Sequence, residues 1–273
     1  MMYKMLLSDL DETLLVNHHV PSENKEAIKK LQDKGIRFVP ASGRAYDTVM
    51  PVLKEIGTYD KEDEYCICFN GGVIFENKDR RILSYQGISF EVCKELFECG
   101  QNYDICVMIF TLDCCYIFNA DPLEVQRKID QNASYEVIDE YNMDFLKGAR
   151  IVKMLFERRN MDYLLKIKDE LAEVTKNKVD VSFSSYRYME FTGIGVNKGN
   201  ALKWLAHHLN VDVSEVVAIG DNYNDIEMLE CAGFSACVSS SYPIVKDVCD
   251  YVCVNDYDQG AVKELIEKII LED

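Results

Sequence analysis

The sequence predicts an α/β fold: a parallel sheet with crossover helices, interrupted by an inserted α+β domain. Three observations predict it. Short apolar runs alternate with helix-patterned segments over residues 4–69, the rhythm of β-α-β units. The rhythm breaks between about residue 85 and residue 190, where apolar runs come in neighbouring pairs. It resumes after Gly195.

Residues 4–10 (KMLLSDL) are apolar and end in an acid, the pattern of a buried strand. Residues 22–34 predict a helix, with Ser22 as N-cap, Ala27, Ile28 and Leu31 on one face, and Gly35 suited to the C-cap. Residues 36–41 (IRFVPA) predict a second strand, 46–56 a helix, and 65–69 (YCICF) a third strand ending at Asn70-Gly71-Gly72. VIFE and RILSY flank Asn77-Lys78-Asp79-Arg80 and predict a hairpin. In the insert, helices are expected near 90–100, 123–132 and 161–173. Strands are expected near 106–110, 115–119, 151–156, 179–184 and 188–192. Paired strands point to an antiparallel unit long enough to be a domain. After it, 198–209 predicts a helix, 215–219 (EVVAI) a strand and 223–232 a helix. FSACV and YVCV predict strands with a short helical stretch between them, and 259–271 a final helix.

The chain has 273 residues, 48% hydrophobic and 28% charged, a globular composition that excludes a disordered or collagen-like chain. Lys plus Arg number 30 against 47 Asp plus Glu, a net charge of −17. Such a surface repels nucleic acid and anionic lipid, and no basic tract offsets it, so neither is an expected partner. The same charge repels an anionic substrate, so a phosphate-handling site would need cations of its own. Eleven cysteines without CxxC pairs or Cys/His ligand spacing read as reduced, small hydrophobes of a cytoplasmic protein. The first residues, MMYKMLLSDLDETLL, show no cleavable signal pattern. No stretch approaches the ~18 apolar residues of a membrane span.

In open α/β sheets, reactive groups collect beyond the carboxyl ends of the strands. The first strand presents Asp9-Leu10-Asp11-Glu12-Thr13 there, and the second Ser42-Gly43-Arg44. The segment after the insert offers Asn197-Lys198-Gly199 at a helix start, and the next strand Gly220-Asp221-Asn222-Tyr223-Asn224-Asp225. Four carboxylates and one lysine would converge on one sheet edge. Carboxylates so close repel and take up protons, which a divalent cation and the lysine would relieve. Hard oxygen donors without histidine or thiolate point to Mg²⁺. Asp9 and Asp11 stand two apart, so on an ideal strand both point the same way. One could attack phosphorus while the other handles protons, since carboxylates are established nucleophiles in phosphoryl transfer. Ser42-Gly43 can offer a hydroxyl and backbone N–H groups to phosphate, and Lys198 the missing cation. Each piece alone has an ordinary reading: turn chemistry for DxDxT, a strand-to-helix turn for Ser42-Gly43, a solvated side chain for Lys198. GDNYND carries two acids and two Asn, more than one cap requires. His18-His19 and His207-His208 read as solvated surface, and Trp204 as helix packing. Phe183, Tyr186, Tyr188 and Phe191 read as the insert's own core, with a pocket lining as the alternative.

Together, DLDET, SGR, NKG and GDNYND, in this order and strand context, resemble the haloacid dehalogenase-like hydrolases. The resemblance runs through nearly the whole chain, and the insert between FNGG and GVNKG looks like the type-two cap of the Cof-type branch. It implies a Rossmann-like core of residues 1–84 and 191–273 with an inserted α+β cap at 85–190. Asp9 would be the nucleophile and Asp11 the general acid/base. Asp9, Asp11 through its backbone carbonyl, and Asp221 would hold Mg²⁺. The Leu10 backbone, Ser42, Gly43, Lys198 and Asn224 would hold phosphate, and Asp225 would orient the metal shell or Lys198. The implied function is Mg²⁺-dependent hydrolysis of a small phosphorylated metabolite, a sugar phosphate or cofactor phosphate, through an aspartyl-phosphate. The protein would be a cytoplasmic monomer or small homo-oligomer. A sugar phosphomutase shares the same core residues. A weakly active phosphosugar-sensing regulatory module is the reading that Glu12 favours, since the family commonly has Gly there. Strand alternation is expected to point Glu12 away from Asp9.

Overall fold

The computed structural model describes residues 3–272. Strand β1 (Met5–Ser8) is buried along its whole length, as its run of apolar residues requires. Helix α1 (Ser22–Asp33) buries Ala27, Ile28 and Leu31. Pro21, not Ser22, stands at its N-cap. Proline's fixed φ suits that entry, and the Ser22 hydroxyl meets Glu23 instead. Strand β2 (Arg37–Pro40), helix α2 (Tyr46–Glu55) and strand β3 (Tyr65–Cys68) follow.

At β3 the simple β-α-β reading needs correction. Only one isolated parallel bridge, Ala41 to Ile67, joins it to the end of β2. Its full partner is β4 (Val73–Glu76), antiparallel, with β5 (Arg81–Tyr85) as the third strand of a small sheet. The cause is the turn between β3 and β4, where Phe69, Asn70 and Gly71 all have positive φ and reverse the chain.

The insert holds α3 (Phe90–Gly100), β6 (Cys106–Thr111), β7 (Cys115–Phe118), α4 (Pro122–Asp130) and β8 (Tyr135–Ile138). It continues with β9 (Ile151–Glu157), α5 (Met161–Glu170), α6 (Ala172–Thr175), β10 (Asp180–Ser184) and β11 (Tyr188–Thr192). Ser89, Asp121 and Asn160 cap α3, α4 and α5 with their side chains. One sheet runs in the order β10-β11-β9-β6-β7-β8. Its pairs are antiparallel except β7 with β8, which are parallel and joined through α4. Val107, Ile109, Phe118, Met154, Phe156 and Phe191 form its core with Leu96, Phe97, Leu164 and Ile167 from α3 and α5. Phe191 is fully buried, whereas Tyr186 is 78% exposed, so the aromatic run is core at one end only.

The chain then forms α7 (Lys198–His208), β12 (Val216–Gly220), α8 (Ile226–Cys231), β13 (Phe234–Cys237), α9 (Pro243–Val248), β14 (Tyr251–Val252) and α10 (Ala261–Leu265). The last helix widens into a π turn at Ile266–Ile270. The main sheet has the order β14-β13-β12-β1-β2 with every neighbouring pair parallel. Leu202, Leu205, Met228 and Leu229 of α7 and α8 cover Met5, Leu7, Val216 and Ala218 on one face. Each such fully buried leucine contributes about 1.5–3 kcal/mol. Helix α1 packs against β2 and α10.

Two compact units result. One takes the chain up to Arg44, then Val49–Ser84, then everything from Asn197 onward. The other takes Ala45–Thr48 and Tyr85–Val196. The expected boundary after residue 190 is therefore too early: β11 pairs with β9 and β10 through Thr192. Within the second unit its two ends meet. A Cβ on Gly193 would sit 2.9 Å from the Gly87 carbonyl oxygen, and one on Gly87 would sit 2.2 Å from that of Ile151. Among the described residues no helix is long and apolar enough to cross a membrane. All eleven cysteines are free.

Candidate active site

The first unit brings Asp9, Asp221, Asp225 and Lys198 together at the carboxyl ends of β1 and β12. The Asp9 amide donates to the Ile219 carbonyl at 3.0 Å, one step beyond the last residue of β1. This extends the ladder and leaves Asp9 only 6% exposed. The chain then turns at once, with the Leu14 and Leu15 amides donating to the Leu10 carbonyl at 3.0 and 2.9 Å. Thr13 comes back under the site fully buried, and its hydroxyl donates to Asp221 at 2.8 Å.

Asp221 follows β12 directly. Past it, Tyr223–Asp225 form a tight 3₁₀ turn, so the expected helix over 223–232 begins properly only at Ile226. The turn brings Asp225 back beneath its own loop, where one carboxylate oxygen accepts from the Asp221 and Asn222 amides, both at 3.1 Å. Gly220 makes room for this: a Cβ there would lie 2.5 Å from the Asp225 carboxyl carbon.

Lys198 opens α7, behind the Asn197 cap whose side chain accepts from the Asn200 amide at 2.7 Å. The lysine is not solvated. It is fully buried, with its ammonium 2.6 Å from Asp225 Oδ1 and also bonded to Asp9 Oδ1.

Asp9, Asp221 and Asp225 present oxygens that lie within 4.8 Å of one another. Burial pushes the Asp9 carboxyl up to about 7, although Lys198 opposes the shift. Burial, then the charges of Asp9 and Asp225, push Asp221 up to about 9, against the Thr13 hydrogen bond. Burial works against the Lys198 ammonium too, but Asp225 and Asp9 outweigh it and hold its pKa above the usual lysine value. One ammonium among three buried carboxylates leaves negative charge that protons must otherwise neutralise. Such a set of hard oxygen donors fits a divalent cation of the Mg²⁺ type.

The second loop brings Ser42 and Gly43 to the same end of the sheet. The Ser42 amide is committed to the Ile67 carbonyl at 2.9 Å, so it is not the free N–H that the sequence suggested. Ser42 retains its hydroxyl, which accepts from the Arg44 amide at 3.2 Å and keeps its proton to give. Asn224 is exposed, and its side-chain amide donates to Asn70 Oδ1 at 3.1 Å. The Asn70 amide in turn donates to the Ser42 carbonyl at 2.9 Å. Asn70 is thus more than a turn residue, because it ties the Ser42 loop to the Asn224 loop.

Asp11 departs from the ideal-strand expectation. Strand β1 ends at Ser8, so alternation does not carry to position 11. The Asp11 side chain is 56% exposed and grips the Arg44 guanidinium with both oxygens. The alternation argument fails for Glu12 as well. It sits at φ 57 in an exposed turn, whereas Asp9 is buried. His18 and His19 turn to different partners, Arg44 at 3.3 Å and Glu55 at 2.8 Å. Thr13, Arg44 and Asn70 carry contacts that no sequence role anticipated, although Thr13 and Arg44 stand inside DLDET and SGR.

Comparison with known proteins follows the same lines. The family model of a haloacid dehalogenase-like hydrolase matches residues 6–266. An HMP-PP phosphatase of Serratia proteamaculans is 26% identical over 248 residues, 90% of this chain and 88% of that one. The HMP-PP phosphatase of Citrobacter koseri is 25% identical over 243 residues, 89% of this chain and 86% of its own. The crystal structure of a haloacid dehalogenase-like hydrolase from Bacteroides thetaiotaomicron superposes with a TM-score of 0.88 at 26% identity, covering 98% of this chain and 99% of that one.

Proposed function

Because this chain belongs to the haloacid dehalogenase-like hydrolases and is an enzyme of their phosphatase class, we propose that it hydrolyses a small phosphorylated metabolite through an aspartyl-phosphate on Asp9. One observation carries this reading. Asp9 lies buried against Lys198, beside Asp221 and Asp225, at the carboxyl end of β1.

Asp9 and Asp221, with the Asp11 carbonyl, would hold Mg²⁺, which when bound neutralises charge on the phosphoryl oxygens. The chain's own residues do the rest. A carboxylate oxygen of Asp9 bonds to phosphorus as the bond to the leaving alkoxide breaks, and Asp11 gives that alkoxide a proton. Lys198 offsets charge that builds on the phosphoryl group. Ser42 can donate its hydroxyl to a phosphoryl oxygen, with Gly43, the Leu10 backbone and Asn224 completing the cradle. Asp11, now a carboxylate, takes a proton from the water that attacks the aspartyl-phosphate, freeing phosphate and Asp9. Asp225 positions Lys198.

The insert at 85–196 holds none of these residues. We assign it the choice of leaving group. Sugar phosphates, cofactor phosphates and the HMP-PP of the relatives' names form the panel to test.

The experiment is to trap the intermediate. Asp11→Asn, quenched in acid during turnover, should carry one phosphoryl group on the peptide that contains Asp9. Asp9→Asn should carry none and lose at least ~10³-fold in kcat. A phosphoryl group elsewhere, or turnover by Asp9→Asn near the native rate, would overturn the mechanism.

A further inference from the structure

Arg44 has no part in the mechanism above, yet it is built into the site on every side. Its amide is held by the Ser42 hydroxyl at 3.2 Å. Its carbonyl accepts from the Phe69 amide at 3.0 Å. These bonds fix the backbone from which the side chain projects. The guanidinium then meets Asp11 through two nitrogens: Nε donates to Oδ2 at 2.8 Å, and Nη2 donates to Oδ1. Nη2 also lies 3.3 Å from His18 Nδ1, so His18 flanks the nitrogen that holds Oδ1. Asp11 itself is 56% exposed on a turn and Arg44 only 19%, so the arginine is the anchored partner and the carboxylate the held one.

An ion pair this open to water contributes little to stability. What it does fix is direction. A guanidinium presents its donors in one plane and accepts a carboxylate in one orientation. Asp11 sits beyond the end of β1, where the strand no longer determines where the side chain points.

We propose that Arg44 is a positioning residue for proton transfer by Asp11. The proposal rests on the role given to Asp11 above. Arg44 aims the carboxyl group at the leaving oxygen. When the proton passes to that oxygen, Asp11 becomes a carboxylate, and the fork already faces it. The same grip holds the carboxylate when it takes a proton back from the attacking water. A lysine would keep the charge at this position but could not grip both oxygens.

The test compares kcat/KM on two probes, 4-nitrophenyl phosphate, whose phenolate leaves without a proton, and a hexose 6-phosphate, whose alkoxide does not. Asp11→Ala is measured first. It should lose at least ~10-fold more on the hexose phosphate than on the aryl phosphate, the mark of a lost general acid. Equal loss on both would refute the role of Asp11 and this proposal with it, without Arg44 having been touched. Arg44→Ala should then show the same discrimination, and Arg44→Lys should fail to restore it. In the Asp11→Ala background, Arg44→Ala should change neither rate further, because a residue that acts through Asp11 has nothing left to position. Equal losses on both probes, or an additional loss in the double variant, would mean that Arg44 acts on the phosphate directly and would overturn the proposal. Thermal melting of each variant shows whether it is folded.

Discussion

Lys198 Nζ lies 2.6 Å from Asp225 Oδ1, and neither side chain is exposed at all. Breaking a buried pair by removing one partner leaves the other charged and uncompensated, at a cost of about 3–5 kcal/mol. Lys198→Met should therefore lower unfolding free energy by that order as well as abolish turnover. Lys198→Met combined with Asp225→Asn should lose less stability than the sum of the two single changes. Urea unfolding of the three variants measures this, and strict additivity would show that the pair is not coupled.

Asp9, Asp221 and Glu157 all have carboxyls raised by burial, to about 7, 9 and 7. Between their unfolded values near 4 and these folded values, the native state binds more protons than the unfolded one. The slope of unfolding free energy with pH is then negative. Metal-free protein should lose stability steadily from about pH 5 to pH 9. Asp221→Asn should flatten that slope. Denaturant titrations in the presence of a chelator at pH 5.5, 7 and 8.5 check both statements.

Chelation should remove activity, and Mg²⁺ should restore it. Ca²⁺ should bind without restoring it, because its looser and larger coordination shell does not reproduce the Mg²⁺ arrangement. A second readout needs no catalysis: Mg²⁺ at 100 times its dissociation constant should add about 2.7 kcal/mol to unfolding free energy. Full activity after exhaustive chelation would rule out a metal role.

Gly220→Ala introduces no charge, yet its Cβ would fall 2.5 Å from the Asp225 carboxyl carbon. Asp225 must move, and Lys198 with it. A displacement of about 1 Å in such a site can cost ~10²-fold in rate. We expect at least a tenfold fall in kcat (~10-fold or more) with little change in the fold. Kinetics alongside circular dichroism would reveal it.

The parallel sheet was legible because its strands are short unbroken apolar runs, buried on both faces, such as MLLS and VVAIG. Strand β8 was not. In YEVI, Glu136 and Val137 are exposed, and as an edge strand it pairs only with β7, so it shows no alternation. The site residues were legible as four groups at four strand or helix ends. Their environments were not. Lys198 taken alone reads as a solvated side chain; the four groups together place it with the carboxylates, but its full burial against Asp9, 189 positions away, is not written in its local sequence. Asp11 reads as a twin of Asp9 until one knows that β1 ends at Ser8. Thr13 and Asn70 act through contacts with Asp221 and Asn224, which no local pattern encodes.

The meeting of Gly87 and Gly193 also bears on the order in which the protein folds. Strand β1 pairs with β12, setting Met5 beside Val216, so the central pairing must close a very long loop. Non-local pairings of this kind slow folding, since closure entropy is lost before contacts reward it. Once the insert has folded, its ends stand side by side, and the effective loop shrinks to the segments outside it. Synthesis from the N-terminus delivers the insert before α7 and β12 exist. The insert would thus act as a built-in clamp on the chain: a mutation in its interior, such as one at Phe156 or Phe191, would delay assembly of the candidate site, to which neither residue contributes.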